Sequence, residues 1–450
     1  MPTVCERLQN DVIEAGICTG CGACVALDQS CKAVMRDTPW GPCPSFETLS
    51  CDLPDLAWET CPGKGYDFIK LYNTHYGHLP ENWLLGCFQK VRTGYSSIPE
   101  IRRGGASGGV ISHTLVYLLE NKLIDAAIIV QQGTPEPLLA RAKIVRTSRE
   151  ILDAAQSIYI PVSTLDIFRA LTPGERYAIT CLPDQAAALR LLQQNDYEPA
   201  KQIKYVFGPY TGTALYPAAI ESYLRGCGVK PDDKVVSLKW RAGEWPGYME
   251  IRMASGRVLQ SKKVYYNFLI PFFITRNSLQ NMDFTNEFCD LSVGDAWSPR
   301  FEKLGGGYSV ITTRSAEMES IISAMEKASL LVMTEEDPFK TLEMHGHMLD
   351  FKKRGGYIRN RWRRAFGKKA PRYGVRPVPL PVSRYLVEVV ISSIFLVCGT
   401  RLARKMLECL PESFMGPMFD KLRLTWKRFS KPVKRKGLGT LLMEQESVND

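Results

Sequence analysis

Apolar and polar positions alternate with two different periods along the chain. Between residues 101 and about 315, short apolar runs such as 126–130 and 177–181 alternate with segments of helical period. Alternation of strands and helices predicts an α/β sheet that binds ligands where its strands end. Residues 235–266 are predicted to form antiparallel strands. We therefore predict an α/β (α+β) protein whose body is built on a mixed sheet.

One segment of this body is rich in glycine. Residues 102–109 read RRGGASGG and lead directly into an apolar helix over residues 110–121. A glycine-rich backbone can approach a ligand closely, and the start of a helix offers unpaired N–H groups that suit a phosphate. The segment therefore predicts a cradle for a nucleotide or flavin phosphate. A simple glycine turn before a core helix is the alternative, because glycine loops without a fixed fingerprint are weak signals.

Cysteine is concentrated near the start of the chain, where eight of the fourteen cysteines lie within 61 residues. Cys18, Cys21 and Cys24 follow two consecutive C-x2-C spacings, which let three thiolates hold one corner of an iron–sulfur cubane. The fourth ligand is open, with Cys31 as the first candidate and Cys61 as the second. Zinc is the main alternative metal, because four thiolates also suit it.

Charge is distributed unevenly along the chain. Residues 351–436 carry 23 Lys and Arg against four Asp and Glu, whereas residues 1–350 carry 34 basic and 40 acidic side chains. This asymmetry indicates an anionic partner of the C-terminal tail, such as a membrane surface. Residues 385–398 are apolar but too few to span a bilayer, so they predict a buried helix or one lying on a membrane. Nucleic-acid binding is disfavoured, because the basic residues are interleaved with this apolar run.

Six segments, taken in order, carry a family resemblance: CTGCGAC, TCPGKG, RRGGASGGVISHTLVYLLENKLIDAAIIV, CLPDQAAALR, RAGEWPGY and DFTNEFCDLSVGDAW. Over about residues 15–330 the chain resembles the coenzyme F420 hydrogenase/dehydrogenase beta-subunit family. The resemblance implies FAD and one or two [4Fe–4S] clusters that pass electrons between a donor and the flavin. It also implies that the flavin is contacted by residues of the glycine-rich segment: Arg103, Gly104, Gly105, Ser107, Gly108 and Gly109.

The chain departs from the family pattern at a second cluster, which the resemblance would place close to the flavin. All four of its ligand positions lack sulfur here: Asp184, Thr211, Ser278 and Asn281. One carboxylate cannot hold a cubane, so we expect this second cluster to be absent. A further departure is Ile158, which stands where relatives tend to have a basic residue.

These patterns predict five parts: a cysteine-rich iron–sulfur domain (1–64), a linker (65–100), a glycine-loop flavin-binding part (101–234), a mixed β/α remainder of the body (235–350) and a basic, partly apolar helical tail (351–450). The N-terminal residues lack an apolar leader, so we expect a cytoplasmic protein. The tail adds the expectation of peripheral attachment at the inner face of the membrane.

The expected function is that of a flavin-dependent oxidoreductase with one N-terminal [4Fe–4S] cluster. A small redox carrier such as ferredoxin would supply single electrons, and the flavin would deliver two of them to a small-molecule or glycan substrate. Asp184 and Asp295, acids at strand ends, are candidate catalytic proton donors. The alternative is a non-catalytic binding or assembly protein that kept the fold and lost the redox chemistry, serving surface-polysaccharide synthesis at a membrane.

Overall fold

A computed structural model describes residues 2–46, 53–262 and 267–446. Its strands in chain order are β1 (Ala33–Thr38), β2 (Gly41–Phe46), β3 (Lys90–Ser96), β4 (Ala126–Gln132), β5 (Ala140–Val145), β6 (Tyr177–Thr180), β7 (Ile203–Pro209), β8 (Val235–Ala242), β9 (Tyr248–Met253), β10 (Val258–Lys262), β11 (Leu291–Asp295), β12 (Ser309–Thr313), β13 (Leu331–Glu335), β14 (Val375–Val378) and β15 (Leu442–Gln445).

The α-helices are α1 (Val4–Leu8), α2 (Ala23–Ala26), α3 (Asp55–Glu59), α4 (Phe68–Tyr76), α5 (Pro99–Gly104), α6 (Val110–Glu120), α7 (Ser148–Asp153), α8 (Pro183–Gln194), α9 (Glu198–Lys201), α10 (Ala218–Gly226), α11 (Ile270–Phe273), α12 (Arg276–Gln280), α13 (Pro299–Leu304), α14 (Ala316–Lys327), α15 (Lys340–Ala365), α16 (Val382–Cys398), α17 (Arg401–Glu408) and α18 (Glu412–Arg435). The last four make the C-terminal part of the chain largely helical.

An eight-stranded mixed sheet forms the centre of the protein, in the order β13-β3-β12-β11-β7-β6-β4-β5. The inner strands β4, β6, β7 and β11 run parallel, and antiparallel strands extend the sheet on both sides. This architecture confirms the predicted mixed α/β body. Because the carboxyl ends of parallel strands meet at one edge, residues that follow β6, β7 and β11 come together there.

Residues 235–262 form a separate three-stranded antiparallel sheet, as the sequence predicted. Met249, Ile251 and Met253 of its middle strand pack in one apolar core, while Arg252 between them is exposed. Side chains alternate across a strand, so this pattern directs one face of the small sheet inward.

The predicted linker, residues 65–100, is part of the body. Helix α4 buries Phe68 and Leu71 in the main core, and β3 lies between β12 and β13. Strand β3 has no apolar run because two of its buried side chains are polar and paired. Arg92 donates to Glu319 at 2.9 Å, and the Thr93 hydroxyl donates to Glu336 at 3.0 Å. Those acids lie more than 220 positions away in the chain, so the local sequence pattern did not predict this strand.

The basic tail does not begin as a separate unit near residue 351. That position lies inside the 26-residue helix α15, which packs against α12, α16 and α18. Lys353 of α15 is buried in an ion pair with Glu287, and Arg354 donates to Asp350 at 2.8 Å. Part of the positive charge that marked the tail is therefore internal and neutralised.

Candidate functional site

Four thiols of the N-terminal region line one cavity: Cys18, Cys21, Cys24 and Cys61. All four are free thiols. Burial raises the pKa of each one, to about 12 for Cys21, and neighbouring sulfurs add to the rise for Cys18, Cys21 and Cys24. Such a group is stable as thiolates only beside strong positive charge, which an iron cluster or zinc would supply. In the described part of the chain, no three His, Cys, Asp or Glu side chains converge on a single metal ion.

The backbone around these sulfurs requires glycine. Gly20 has φ of 70°, and a Cβ there would lie 2.6 Å from the carbonyl oxygen of Pro42. The Gly20 N–H faces the Cys18 sulfur at 3.4 Å. Backbone N–H groups of Gly63 and Lys64 also donate to the Cys61 sulfur and oppose the rise of its pKa. N–H groups that face sulfur stabilise thiolate ligands, so the small residues between the cysteines have a chemical reason.

The first candidate for the fourth ligand, Cys31, lies outside this cavity, and the geometry favours Cys61. Cys31 is exposed with φ of 56°. The turn before it is held by the Asp28 carboxylate, which accepts from the N–H groups of Ser30 at 3.0 Å and Ala33 at 2.6 Å. This turn leads the chain into β1 and leaves Cys31 at the surface. The sequence did carry a signal for Cys61, which precedes a proline as cluster ligands often do.

The four sulfur-free positions are all bonded within the protein. Asp184 accepts from Asn277 at 3.1 Å, and the Thr211 hydroxyl donates to the Pro209 carbonyl at 2.9 Å. The Ser278 hydroxyl accepts from the Ala214 N–H at 2.9 Å, and the Asn281 side chain accepts from the Asp283 N–H at 2.7 Å. These bonds satisfy the polar groups without a cofactor.

A lysine from the C-terminal part lies among these positions. Lys352 of α15 is buried, and its ammonium donates to the Ser278 carbonyl at 2.9 Å. Burial lowers the pKa of Lys352 to about 7, although Asp184 and Asp283 act to raise it. Burial raises the pKa of Asp184, which also acts on Cys21 of the thiol cavity. The Asp184 carboxyl group thus acts electrostatically on both Cys21 and Lys352. Sequence reasoning missed Lys352 because it was one of many basic residues in a segment assigned to the surface.

The glycine-rich segment is packed tightly against the loop that precedes β12. The Gly108 N–H donates to the Ser309 hydroxyl at 3.0 Å, and the Ser107 hydroxyl lies 2.7 Å from the same oxygen. The Arg102 guanidinium donates to the Gly307 carbonyl at 3.0 and 3.1 Å and lies 3.5 Å over the Tyr95 ring. Arg102 therefore holds the loop in place, and the Ser107 hydroxyl is already hydrogen-bonded to the Ser309 hydroxyl.

Other groups of this segment face outward. Helix α6 begins after Gly109, which is in the left-handed conformation and provides no side-chain cap. A Cβ on Gly104 would meet nothing within 4 Å. Arg103 is exposed and lies 3.5 Å from Glu100. Gly109 and Val110 at the start of α6 are buried, so the features of this segment that suit a phosphate group are the open side of Gly104 and the exposed cation of Arg103.

The glycines of this segment differ in whether the fold leaves room for a side chain. We expect Gly109→Ala to destabilise the protein by about 1–3 kcal/mol, because Gly109 has φ of 72° and a Cβ would lie 2.5 Å from the Ile101 carbonyl oxygen. Gly104→Ala is the matched control and should cost nothing, because the site is open and alanine favours helix. Urea unfolding of both variants measures the difference. Equal stability of the two would contradict this assignment.

Asp295, the second candidate acid, ends β11 opposite Ser309. It accepts from the buried Arg241 guanidinium at 2.9 Å. The rings of Trp245 and Trp297 lie 4.9 Å apart near this pair in the chain. Arg241 and Trp245 both belong to the motif RAGEWPGY. The sequence analysis noted this motif but did not predict the ion pair between Arg241 and Asp295.

Two family models match the chain. The coenzyme F420 hydrogenase/dehydrogenase beta-subunit N-terminal model matches residues 91–169, and the C-terminal model of the same subunit matches residues 174–338. The glycine-rich segment, Asp184 and Asp295 lie within these matches. The four-thiol cavity and helices α16–α18 lie outside them.

Two curated proteins are similar in sequence. The coenzyme F420-dependent sulfite reductase of Methanocaldococcus jannaschii is 26% identical over 357 residues, which is 74% of this chain and 50% of that protein. The coenzyme F420 hydrogenase subunit beta of Methanococcus voltae is 24% identical over 259 residues, which is 54% of this chain and 82% of that protein. The chain therefore spans about half the length of the first of these relatives.

A solved structure shares the fold. A chain of the F420-reducing [NiFe] hydrogenase complex from Methanosarcina barkeri superposes with a TM-score of 0.52 at 18% identity. The likeness covers 65% of this chain and 98% of the other. At this identity the comparison supports the mixed α/β architecture alone.

Proposed function

Because this chain belongs to the coenzyme F420 hydrogenase/dehydrogenase beta-subunit family, we propose that it is an iron–sulfur flavoprotein oxidoreductase. The observation that carries the proposal is the cavity lined by Cys18, Cys21, Cys24 and Cys61. Two relatives are named for redox reactions that depend on coenzyme F420. A redox role for this chain agrees with a set of four free thiols that line one cavity.

The donor set fits one [4Fe–4S] cluster, held by the four cysteines of the cavity. Such a cluster supplies single-electron transfer. The protein contributes the four sulfurs and the N–H groups of Gly20, Gly63 and Lys64 that face them. Zinc is the alternative occupant weighed for four thiolates, but it would need these sulfurs to converge on one ion, which the described residues do not show. Metal analysis separates the two.

FAD is the second proposed cofactor, with its phosphate at the open side of the glycine-rich segment, which precedes α6. Gly104 and Arg103 would lie beside it, while Arg102 and Ser309 hold the surrounding backbone. Flavin supplies the exchange between one-electron and two-electron steps. A buried acid, Asp184, is the candidate proton donor, because burial raises the pKa of its carboxyl group and Asn277 orients it.

We also propose that a second cluster is absent, since its positions are occupied by bonded oxygen-bearing side chains and by Lys352. Electrons would then pass to the flavin from the single N-terminal cluster. The donor is proposed to be a small carrier such as ferredoxin, and the names of the relatives add reduced coenzyme F420 as a second candidate. The substrate is proposed to be a small molecule or a glycan. The non-catalytic alternative is not favoured, because the four thiols line one cavity and the named relatives are redox proteins.

Cofactor analysis tests this proposal. We expect the full chain, purified without oxygen, to contain about four irons, about four sulfides and about one FAD. The dithionite-reduced protein should give the electron paramagnetic resonance signal of one cluster. Zinc in place of iron would overturn the proposal of an iron–sulfur cluster. About eight irons per chain would overturn the proposal that the second cluster is absent. A full content of iron without any flavin would overturn the proposal that the protein binds FAD.

A further inference from the structure

Exposed apolar side chains are concentrated on three C-terminal helices. In the described part of the chain, 14 of the 25 exposed large hydrophobic residues lie between positions 382 and 429. We call this surface the C-terminal apolar face. Its main members are Leu386, Val390, Ile394, Leu396 and Val397 on α16, Leu402 and Met406 on α17, and Phe414, Leu422 and Phe429 on α18. An apolar surface of this extent marks an interaction site.

The first helix of the face is anchored to the body on its other side. Arg384 of α16 donates to Asp350 at 2.8 Å, and Glu388 accepts from Arg359 at 2.7 Å, all four being buried. Turning α16 to bury its apolar side chains would break these pairs, which is costly for buried charges. The exposed side of α16 is therefore fixed outward.

The next two helices are also anchored. Arg404 of α17 donates to the Phe272 carbonyl at 2.9 Å, and Glu408 pairs with Arg225 at 2.7 Å. Glu412, at the start of α18, accepts from the Tyr223 hydroxyl at 2.6 Å. Each of the three helices is thus fixed to the body, with its exposed apolar side chains turned away from these anchoring bonds.

Exposed cations accompany these apolar side chains along the helices. On α17, Arg401 and Lys405 each precede an exposed apolar residue, Leu402 and Met406. On α18 the exposed cations are Lys421, Lys427, Arg428, Lys431 and Arg435. With 3.6 residues per turn, the exposed Phe414, Leu422, Leu424 and Phe429 lie within about 160° of each other, and Lys421 and Arg428 lie inside that sector, about 20° and 40° from Phe414. Apolar and basic side chains in this arrangement are typical of helices that lie on anionic membranes.

We propose that the C-terminal apolar face lies in the headgroup region of an anionic bilayer, with α16, α17 and α18 along its surface. No single helix among the described residues is long and apolar enough to cross a membrane, and the one pair that passes together, α16 with α17, is bent by 71°. The buried pairs of Arg384 and Glu388 with the body also oppose insertion of α16. This inference is independent of the proposed redox function.

Vesicle flotation of the full chain tests the proposal. We expect it to float with vesicles containing about equal phosphatidylglycerol and phosphatidylcholine, and not with phosphatidylcholine alone. Leu422→Ser with Phe429→Ser, and separately Lys421→Gln with Arg428→Gln, should each weaken binding by about tenfold or more. Leu304→Ser is the matched control, since Leu304 is equally exposed but lies on α13.

The outcomes separate membrane binding from other occupants of this face. Absence of flotation with the anionic vesicles, or flotation that the apolar and charge variants leave unchanged, would overturn the proposal. Light scattering that shows a dimer, converted to a monomer by Leu396→Ser, would also overturn it by assigning the face to a second copy. Circular dichroism confirms that each variant is folded. If a variant is unfolded, the proposal is tested by the unaltered chain alone, which should float with the anionic vesicles and not with the neutral ones.

Discussion

Replacing Cys61 with serine is expected to remove most of the bound iron, whereas replacing Cys31 is expected to leave it in place. Cys61 lines the same cavity as Cys18, Cys21 and Cys24, and Cys31 lies exposed outside it. Serine lacks the thiolate that holds iron, and three remaining ligands leave one corner of a cubane open. The expected loss is several-fold in iron and sulfide per chain, together with loss of the visible absorption of the cluster.

Iron and sulfide measured on the two anaerobically purified variants make the comparison. Cys43→Ser is a further control, because Cys43 also precedes a proline but does not line the cavity. Its iron content should equal that of the unaltered chain. Loss of iron from the Cys31 variant with retention in the Cys61 variant would restore Cys31 as the fourth ligand.

Replacing Asp350 with alanine is expected to destabilise the protein by about 3–5 kcal/mol. Both oxygens of this carboxylate lie in the protein interior. It accepts from Arg354 at 2.8 Å and from Arg384 at 2.8 and 3.0 Å, and the three side chains are fully buried. Its removal leaves Arg354 with backbone carbonyl acceptors only, and leaves Arg384 with Glu388 as its remaining counter-ion, in a medium of low dielectric constant. The loss should loosen α16 from α15.

Urea unfolding followed by tryptophan fluorescence measures this change in the free energy of unfolding. Glu444→Ala is the matched control, because Glu444 pairs with Arg376 at 2.9 Å but both side chains are nearly half exposed, at 48% and 45%. Exposed pairs contribute less than about 1 kcal/mol. A loss for Asp350→Ala no greater than that of the control would show that water reaches the arginines.

Local chemistry made part of the candidate site predictable. Cys18, Cys21 and Cys24 are separated by only two residues each, so their convergence is decided within one short loop. Cys61 lies 37 positions beyond Cys24, and the sequence between them does not predict that the chain brings Cys61 back to the other three cysteines. Its assignment over Cys31 required the tertiary fold. The glycine-rich segment shows the same division, because the packing of Gly109 against Ile101 appears only in three dimensions.

The sequence by itself determined the alternation of apolar strands and helices, and with it the mixed sheet and the edge where Asp184 and Asp295 lie. Those elements bury ordinary apolar runs, whose period can be read locally. Only the tertiary structure decided which charged segments are internal. Arg92 of β3 and Lys353 of α15 have acidic partners 227 and 66 positions away, respectively. A buried charge paired with a distant residue looks like a surface charge in sequence, because the partner that neutralises it is supplied by the fold.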